Sequence, residues 1–393
     1  MSGGQKTAHK NPMSDKPVDE QMLLFAPFFS ERHNRVFDIY DALPRFVLSW
    51  KREADAKGAK GITFSNVRIG DQTVAVKITP AVVTDPKQAA PPTREGAPQR
   101  LSGKLIFPGP REEIIEFALR RMAAVQYADM KRRTGKDADQ VTVTFHLSEL
   151  RGQLAEDGHH FKGAEISEAL EVLALSKIQL SGDVPANVAE GYRWKSTQAY
   201  SMLEDLRVVE PKEGDTSEGD RASYFVSFHP LASAAILQGR FFDHNHRRTM
   251  QLRKPLARWL IKRMSLKYRQ ASRGGVVARE GYNLSLSRII AESGLLPEKR
   301  LRDTVQRIRD AIHELKSTGW LSRFQAFDEV TTFTDNGARG QKAIKDIVWT
   351  FYPSTEFINE IIEGNDNRAK RIAKGKEARI KISEEGKEAR IGL

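Results

Sequence analysis

Lys299, Arg300, Arg302, Arg307 and Arg309 crowd into one short stretch, with Gln306 among them. A guanidinium fork matches the O6 and N7 acceptors of guanine, and a carboxamide matches N6 and N7 of adenine. Each good pair gives roughly 1–3 kcal/mol of discrimination against the wrong base. On that chemistry Arg300, Arg302 and Arg307 are candidates for guanine and Gln306 for adenine. Lys299, Arg309 and, further on, Arg323 suit phosphate oxygens, contacts that position a protein without specifying sequence. The competing reading is an ordinary solvated face of Arg–Asp pairs. Between 299 and 310, however, only Asp303 and Asp310 oppose the five basic side chains.

A helix must carry these groups. Leu301, Val305, Ile308, Ile312 and Leu315 recur at helical spacing, so the sequence predicts an amphipathic helix over Pro297–Leu321 with an apolar buried face. Pro297 suits a first helical position, and Gly319 suits a left-handed cap. Upstream, Ser287 begins a short helix that ends in a turn at Ser293–Gly294. Downstream, WLSRFQAFDEVTTF has the composition of a strand. Short helix, turn, basic helix and hairpin follow the order of a winged helix-turn-helix.

The charge distribution agrees. The 393-residue chain carries a net charge of +12. Between Arg247 and Arg323 there are 19 Lys+Arg against 6 Asp+Glu, a net of +13, so the rest nearly cancels. A basic field confined to one segment is the footprint of a polyanion binder, with salt-dependent affinity. There is no cysteine, which excludes disulfides and cysteine-ligated zinc and fits a reducing cytoplasm. No apolar run approaches the ~20 residues of a membrane span, and the start of the chain lacks an apolar export core.

Enzyme signatures are weak. No Gly-x-x-x-x-Gly-Lys-Ser/Thr is present, and no nucleophile, base and orienter set stands out. His244-Asn245-His246 has a metal-nickase spacing, but it sits at a polar junction. The expectation is a non-enzyme with no cofactor and no metal.

In chain order, residues 1–30 read as a disordered tail holding an apolar knot, Gln21–Phe29. Within 31–103, residues Leu43–Trp50 are expected helical, a hairpin turns at Gly70–Asp71, and 84–103 form a Pro- and Gly-rich linker. Residues 104–246 read as a first unit. Ile114, Phe117, Ala118, Met122 and Val125 make one helical stripe there, and Ser148 is the expected N-cap of a short helix. A third helix has Ile166, Leu170 and Leu173 inward, and strands follow. Residues 247–365 repeat that order of elements, with Leu256, Leu260 and Met264 inward on the opening helix. Residues 366–393 are a charged tail in which GKEARI occurs twice. The expected fold class is therefore α+β: two tandem winged helix-turn-helix domains with flexible N- and C-terminal tails. The first unit's third helix carries Glu165, Glu168 and Glu171, which makes it a poor groove reader. It is expected to face protein, and His159, His160 and Lys162 are that unit's candidate DNA contacts.

With tandem winged units in view, the chain resembles the bacterial plasmid replication initiators of the RepA/TrfA type, from about Gln21 to Gly364. GHHFKGAEISEALEVLALSKIQL, KPLARWLIKRM through KSTGWL, and QMLLF carry the resemblance. Gln21, Leu24 and Phe25 look like the peptide that binds the DNA polymerase sliding clamp, Gln21 at a pocket edge and the other two in an apolar pocket. The resemblance implies a protein that binds double-stranded origin repeats (iterons), helps open an AT-rich region, and recruits host helicase and clamp. It also implies a switch between a dimer, joined through the first winged domain, and a DNA-binding monomer. A winged-helix transcriptional regulator with a sensing or dimerising first domain is the alternative.

Overall fold

The computed structural model describes residues 40–41, 43–49, 53, 60–69, 72–84, 103–134, 140–185, 193–209, 222–229, 232–233, 246–268, 271, 280–333, 342–363 and 366. Helices and sheets are mixed throughout. Helix α1 (Pro110–Thr134) opens where Pro110 has no N–H to leave unpaired, and the Glu112 carboxylate accepts the Gly109 N–H at 2.8 Å. Ile114, Phe117, Ala118 and Met122 are buried as expected, but Val125 is 57% exposed. The opposite face is hidden too, and it is charged: Glu113, Glu116 and Arg120 are buried.

Strand β5 (Thr142–His146) runs straight into α2 (Leu147–Glu156), and α3 (Gly163–Leu175) follows. Because no loop separates β5 from α2, the cap position falls on His146, whose side chain makes no capping bond. Ser148, expected as the cap, lies inside the first turn. The second unit repeats the join: β10 (Tyr282–Ser285) enters α6 (Leu286–Ser293) directly, and here the Ser285 hydroxyl does accept the Arg288 N–H. Ahead of it come α4 (His246–Met250) and α5 (Pro255–Tyr268). After it come α7 (Leu301–Ser317), β11 (Leu321–Phe333), β12 (Lys342–Pro353) and α8 (355–363).

The two units share a sheet order. In the first, β8 (Leu203–Val209) and β9 (Ser223–Phe228) join β5 in the order β5-β9-β8. In the second the order is β10-β12-β11. In both, the last strand lies between the other two. The first unit differs by an inserted hairpin, β6 (Lys177–Pro185) with β7 (Arg193–Tyr200). It continues a sheet begun by β1 (Ile62–Ile69) and β2 (Gln72–Thr79), order β1-β2-β6-β7. Ile69 pairs with Gln72, so β1 and β2 are adjacent antiparallel strands as expected, while Gly70 and Asp71 themselves lie outside the described residues. A bulge between Phe64 and Val67 leaves Asn66 at φ 64°, a conformation asparagine tolerates. Strands β3 (Ala81–Thr84) and β4 (Gly103–Ile106) form a separate two-stranded piece.

Residues 43–49 are irregular rather than helical. Pro44 disfavours the helical conformation at Leu43, and the backbone beyond it bonds to other elements. One continuous apolar core includes Val47 and Leu48 from this segment, Ile115 and Leu119 from α1, and Leu260, Ile308 and Trp349 from the second unit.

Candidate nucleic-acid interface

Helix α7 begins at Leu301, four residues later than the periodicity suggests. The preceding loop is folded onto the helix by side chains: the Thr304 hydroxyl accepts the Glu298 N–H at 2.8 Å, and Arg307 donates to the Glu298 carboxylate at 2.8 Å. Those bonds bend Pro297–Arg300 away from the helical path, so Pro297 is not its first residue. The C-terminus is as expected. Gly319 has φ +75°, its N–H donates to Lys316 O, and the Trp320 N–H reaches Leu315 O at 2.9 Å. These are the two bonds of a Schellman cap.

Thr304, Val305, Ile308, Ala311, Ile312 and Leu315 form the buried side of α7. Leu301, expected inward, is 38% exposed, because the loop before it carries the chain off the core side. The outward side presents Lys299, Arg300, Arg302, Gln306, Arg309, His313 and Lys316. The side chains of Lys299, Arg300 and Arg309 are exposed and have no bonding partner among the described residues. Arg302 is 75% exposed, with its Nε 3.6 Å from Asp303. Gln306 donates to Asp310 at 2.8 Å, an exposed bond that water or a base edge can replace. Arg323 is exposed on β11, its guanidinium 4.1 Å from the Tyr352 ring centre. Arg307 alone among the candidate readers turns inward: it is 28% exposed, and its other Nη donates to the Leu48 carbonyl at 2.8 Å.

Neighbouring elements contact α7 and occupy its Glu314. Glu314 accepts the Arg253 and Lys254 N–H groups at 2.7 and 2.9 Å, placing its charge at the positive start of α5. Arg248 donates to Glu360 and to Thr318 O, and lies 4.3 Å from the Trp320 ring centre, which ties α4 to the C-termini of α7 and α8. Trp320, Trp349 and Phe351 are fully buried behind the helix. Beyond β10, whose pairing stops at Val348, the β11–β12 ladder continues alone to Phe333–Lys342. At 3.3–3.4 Å per residue that arm projects about 20 Å.

The corresponding helix of the first unit is arranged differently. On α3, Val172 packs with Ala81, Val83 and Ile106, so β3–β4 covers part of its outer side. Glu165 accepts the Lys162 N–H at 2.7 Å, and Glu168 pairs with Arg111 at 3.1 Å. Burial, and then the charge of Glu168, push the Glu171 carboxyl above its ordinary value. His159 points inward: its Nε2 lies 2.8 Å from the Met250 carbonyl, its ring stacks on Phe161, and burial pushes its pKa down. His160 and Lys162 remain exposed.

Buried ion pairs join the units. Glu113 on α1 accepts Arg258 Nε and Nη2 at 3.1 and 3.0 Å and Lys262 Nζ at 2.8 Å, both from α5. Burial works against its ionised form. The adjacent Lys262 and Arg258 outweigh burial and hold the carboxyl down at about 2. Next to it, Glu116 accepts Arg45 Nη1 at 2.7 Å and the Tyr40 hydroxyl at 2.8 Å, while Asp41 accepts from Arg45 and Arg120. A cleft of about 660 Å³ lies between the units, lined by Leu48, Arg111, His159, Met250, Arg258 and Arg307 among others. The sequence signal that was available is the spacing of Glu113, Glu116 and Arg120, three and four apart on one helix side.

Gln21, Leu24, Phe25 and His244 lie outside the described residues. Among the described residues no group of three or more His, Asp or Glu is placed to hold a metal, and no helix is long and apolar enough to cross a membrane. No family model and no curated protein matches the sequence. Among solved structures, domains 2 and 3 of RctB align at TM-score 0.45 with 10% identity, over 80% of this chain and 98% of that one. A second RctB structure, residues 155–483, aligns at TM-score 0.40 with 11% identity, over 83% and 99%. The Pi initiator protein in complex with iteron DNA aligns at 0.34 with 13% identity, over 61% and 95%. Likeness at these scores assigns no role to any residue of this chain.

Proposed function

We propose that this chain is a replication initiator built from two tandem winged helix-turn-helix units, spanning 104–246 and 247–365, and that the second reads origin repeats. The observation that carries this reading is the outward side of α7. Arg300, Arg302, Gln306 and Arg309 stand there above a fully buried stripe, on the segment that holds the chain's whole positive excess. Arg300 and Arg302 are the guanine readers and Gln306 the adenine reader. Lys299, Arg309 and Arg323 contact phosphates, and the β11–β12 arm follows the backbone beside the groove. The first unit, with α3 partly covered and acidic, serves protein contacts, including a second copy of the chain. Gln21, Leu24 and Phe25 bind the sliding clamp, a host helicase is recruited to the opened origin, and the protein works in the cytoplasm without catalytic groups of its own.

The test is a competition binding series with Arg302→Ala. Discrimination should fall by roughly 1–3 kcal/mol at one base pair of the site and stay intact at the others. An unchanged preference at every position would remove α7 from the role of reader. Binding to a single palindrome in place of direct repeats would favour a transcriptional regulator.

A further inference from the structure

The segment Arg45–Ser49 crosses from one unit to the other. Val47 N–H donates to Pro108 O at 2.8 Å, just before α1, and Leu48 N–H donates to Gly294 O at 2.9 Å, in the turn between α6 and α7. Leu48 also bridges in parallel to Leu295. The approach is so close that a Cβ on Gly294 would stand 2.0 Å from the Phe46 carbonyl oxygen, and Gly294 has φ +81°. At its upstream end the segment is anchored by Arg45 on buried Glu116. The helix proposed to read DNA reaches this same strap through Arg307, which donates to Leu48 O from one Nη and to Glu298 from the other.

Bidentate recognition of guanine needs a guanidinium fork free to face the groove. Arg302 is open to solvent, with only a long ion pair from its Nε to Asp303 at 3.6 Å. The fork of Arg307 is already directed at two acceptors of its own chain, and the side chain is 28% exposed against 75% for Arg302. We propose that Arg307 is a positioning residue, not a base reader: it ties α7 to the strap, and through the strap to the first unit, and so holds α7 in its reading pose. This rests on the assignment of α7 as the reading helix.

The consequence is quantitative. If the reading pose is one of several, apparent affinity scales with the fraction of molecules in it. Loosening the strap multiplies every dissociation constant by one factor, whatever the base pair and whatever the salt. Loss of a base reader relaxes one position instead. Loss of a phosphate contact lowers the slope of log K against log salt by about 0.9.

The experiment uses the full chain and a duplex selected from a random pool by the wild-type protein, together with all its single base-pair variants, at several salt concentrations. Arg307→Ala should weaken every duplex roughly tenfold in equal ratio, with the salt slope unchanged. Arg307→Lys should recover part of the loss, because an ammonium still donates to the Leu48 carbonyl. Relaxed discrimination at one base pair, a slope lower by about 0.9, or wild-type affinity would each overturn the proposal. Circular dichroism checks folding, and if the alanine variant does not fold, Arg307→Met, which keeps the length of the side chain but cannot donate to Leu48 O, carries the same three comparisons. Arg302→Ala runs alongside: if it too relaxes no position, the assignment of α7 has failed, irrespective of Arg307.

Discussion

Replacing Glu113 by glutamine keeps the shape of α1 and removes the carboxylate that Arg258 and Lys262 both contact. The wild-type carboxyl is held at about 2, against an ordinary value of 4.5. A difference of that size corresponds to roughly 3 kcal/mol of stabilisation. An independent route gives the same order: breaking a buried ion pair by removing one partner typically destabilises by about 3–5 kcal/mol, because a charge is left uncompensated. For a domain of this scale 1 kcal/mol moves the melting temperature by roughly 2–4 °C, so Glu113→Gln should melt about 6–12 °C below wild type at pH 7. The sign with pH is fixed. A carboxylate whose folded pKa is depressed contributes stability above its unfolded pKa and loses it as pH falls through the folded value. The gap between wild type and variant should therefore narrow as pH falls from about 4.5 towards 2. Thermal melts followed by circular dichroism at pH 7, 5, 4 and 3 measure both effects. A variant that melts within a degree of wild type at pH 7, with parallel decline below pH 4.5, would show that Glu113 does not hold α1 to α5.

Gly294→Ala forces a side chain into left-handed backbone, at a cost of roughly 1–2 kcal/mol, and sets its Cβ against the Phe46 carbonyl. A melting temperature several degrees lower, with weaker DNA binding, is expected; a wild-type melt would mean the strap does not press on this turn. Gln21→Ala combined with Phe25→Ala should reduce capture by the purified sliding clamp while DNA affinity stays the same. Equal capture by the double variant would end the clamp assignment. Binding of the wild-type chain to its selected duplex should weaken linearly in log salt, and a flat response would contradict a phosphate-contacting face.

Much of the second unit was legible in the sequence because its signals are local. The spacing of Val305, Ile308, Ile312 and Leu315 gives the buried side of α7. Gly294 and Gly319 occur where left-handed turns are needed, and the β10–α6–α7 order follows from short-range patterning. Expectations failed where distant residues decide. Pro297 looks like a helix start until Thr304 and Arg307 fold the loop back. Leu43–Trp50 is expected helical, but Val47 and Leu48 bond to Pro108 and Gly294, far away in sequence. Nothing local marks Glu113, Glu116 and Arg120 as buried, because their partners lie far away in sequence, on α5 and around Tyr40. The same logic separates Arg302 from Arg307, equal in composition and opposite in surroundings.

The central claim is that the basic side of α7 enters the major groove of repeated DNA. Guanine-N7 methylation interference on the DNA flanking this reading frame tests it directly, using the full chain. The expected pattern is interference at major-groove guanines recurring at a fixed interval near two helical turns, about 21 base pairs, with the Arg302→Ala variant losing sensitivity at one guanine per repeat. Binding that methylation of N7 does not disturb, or interference with no periodic recurrence, would contradict it.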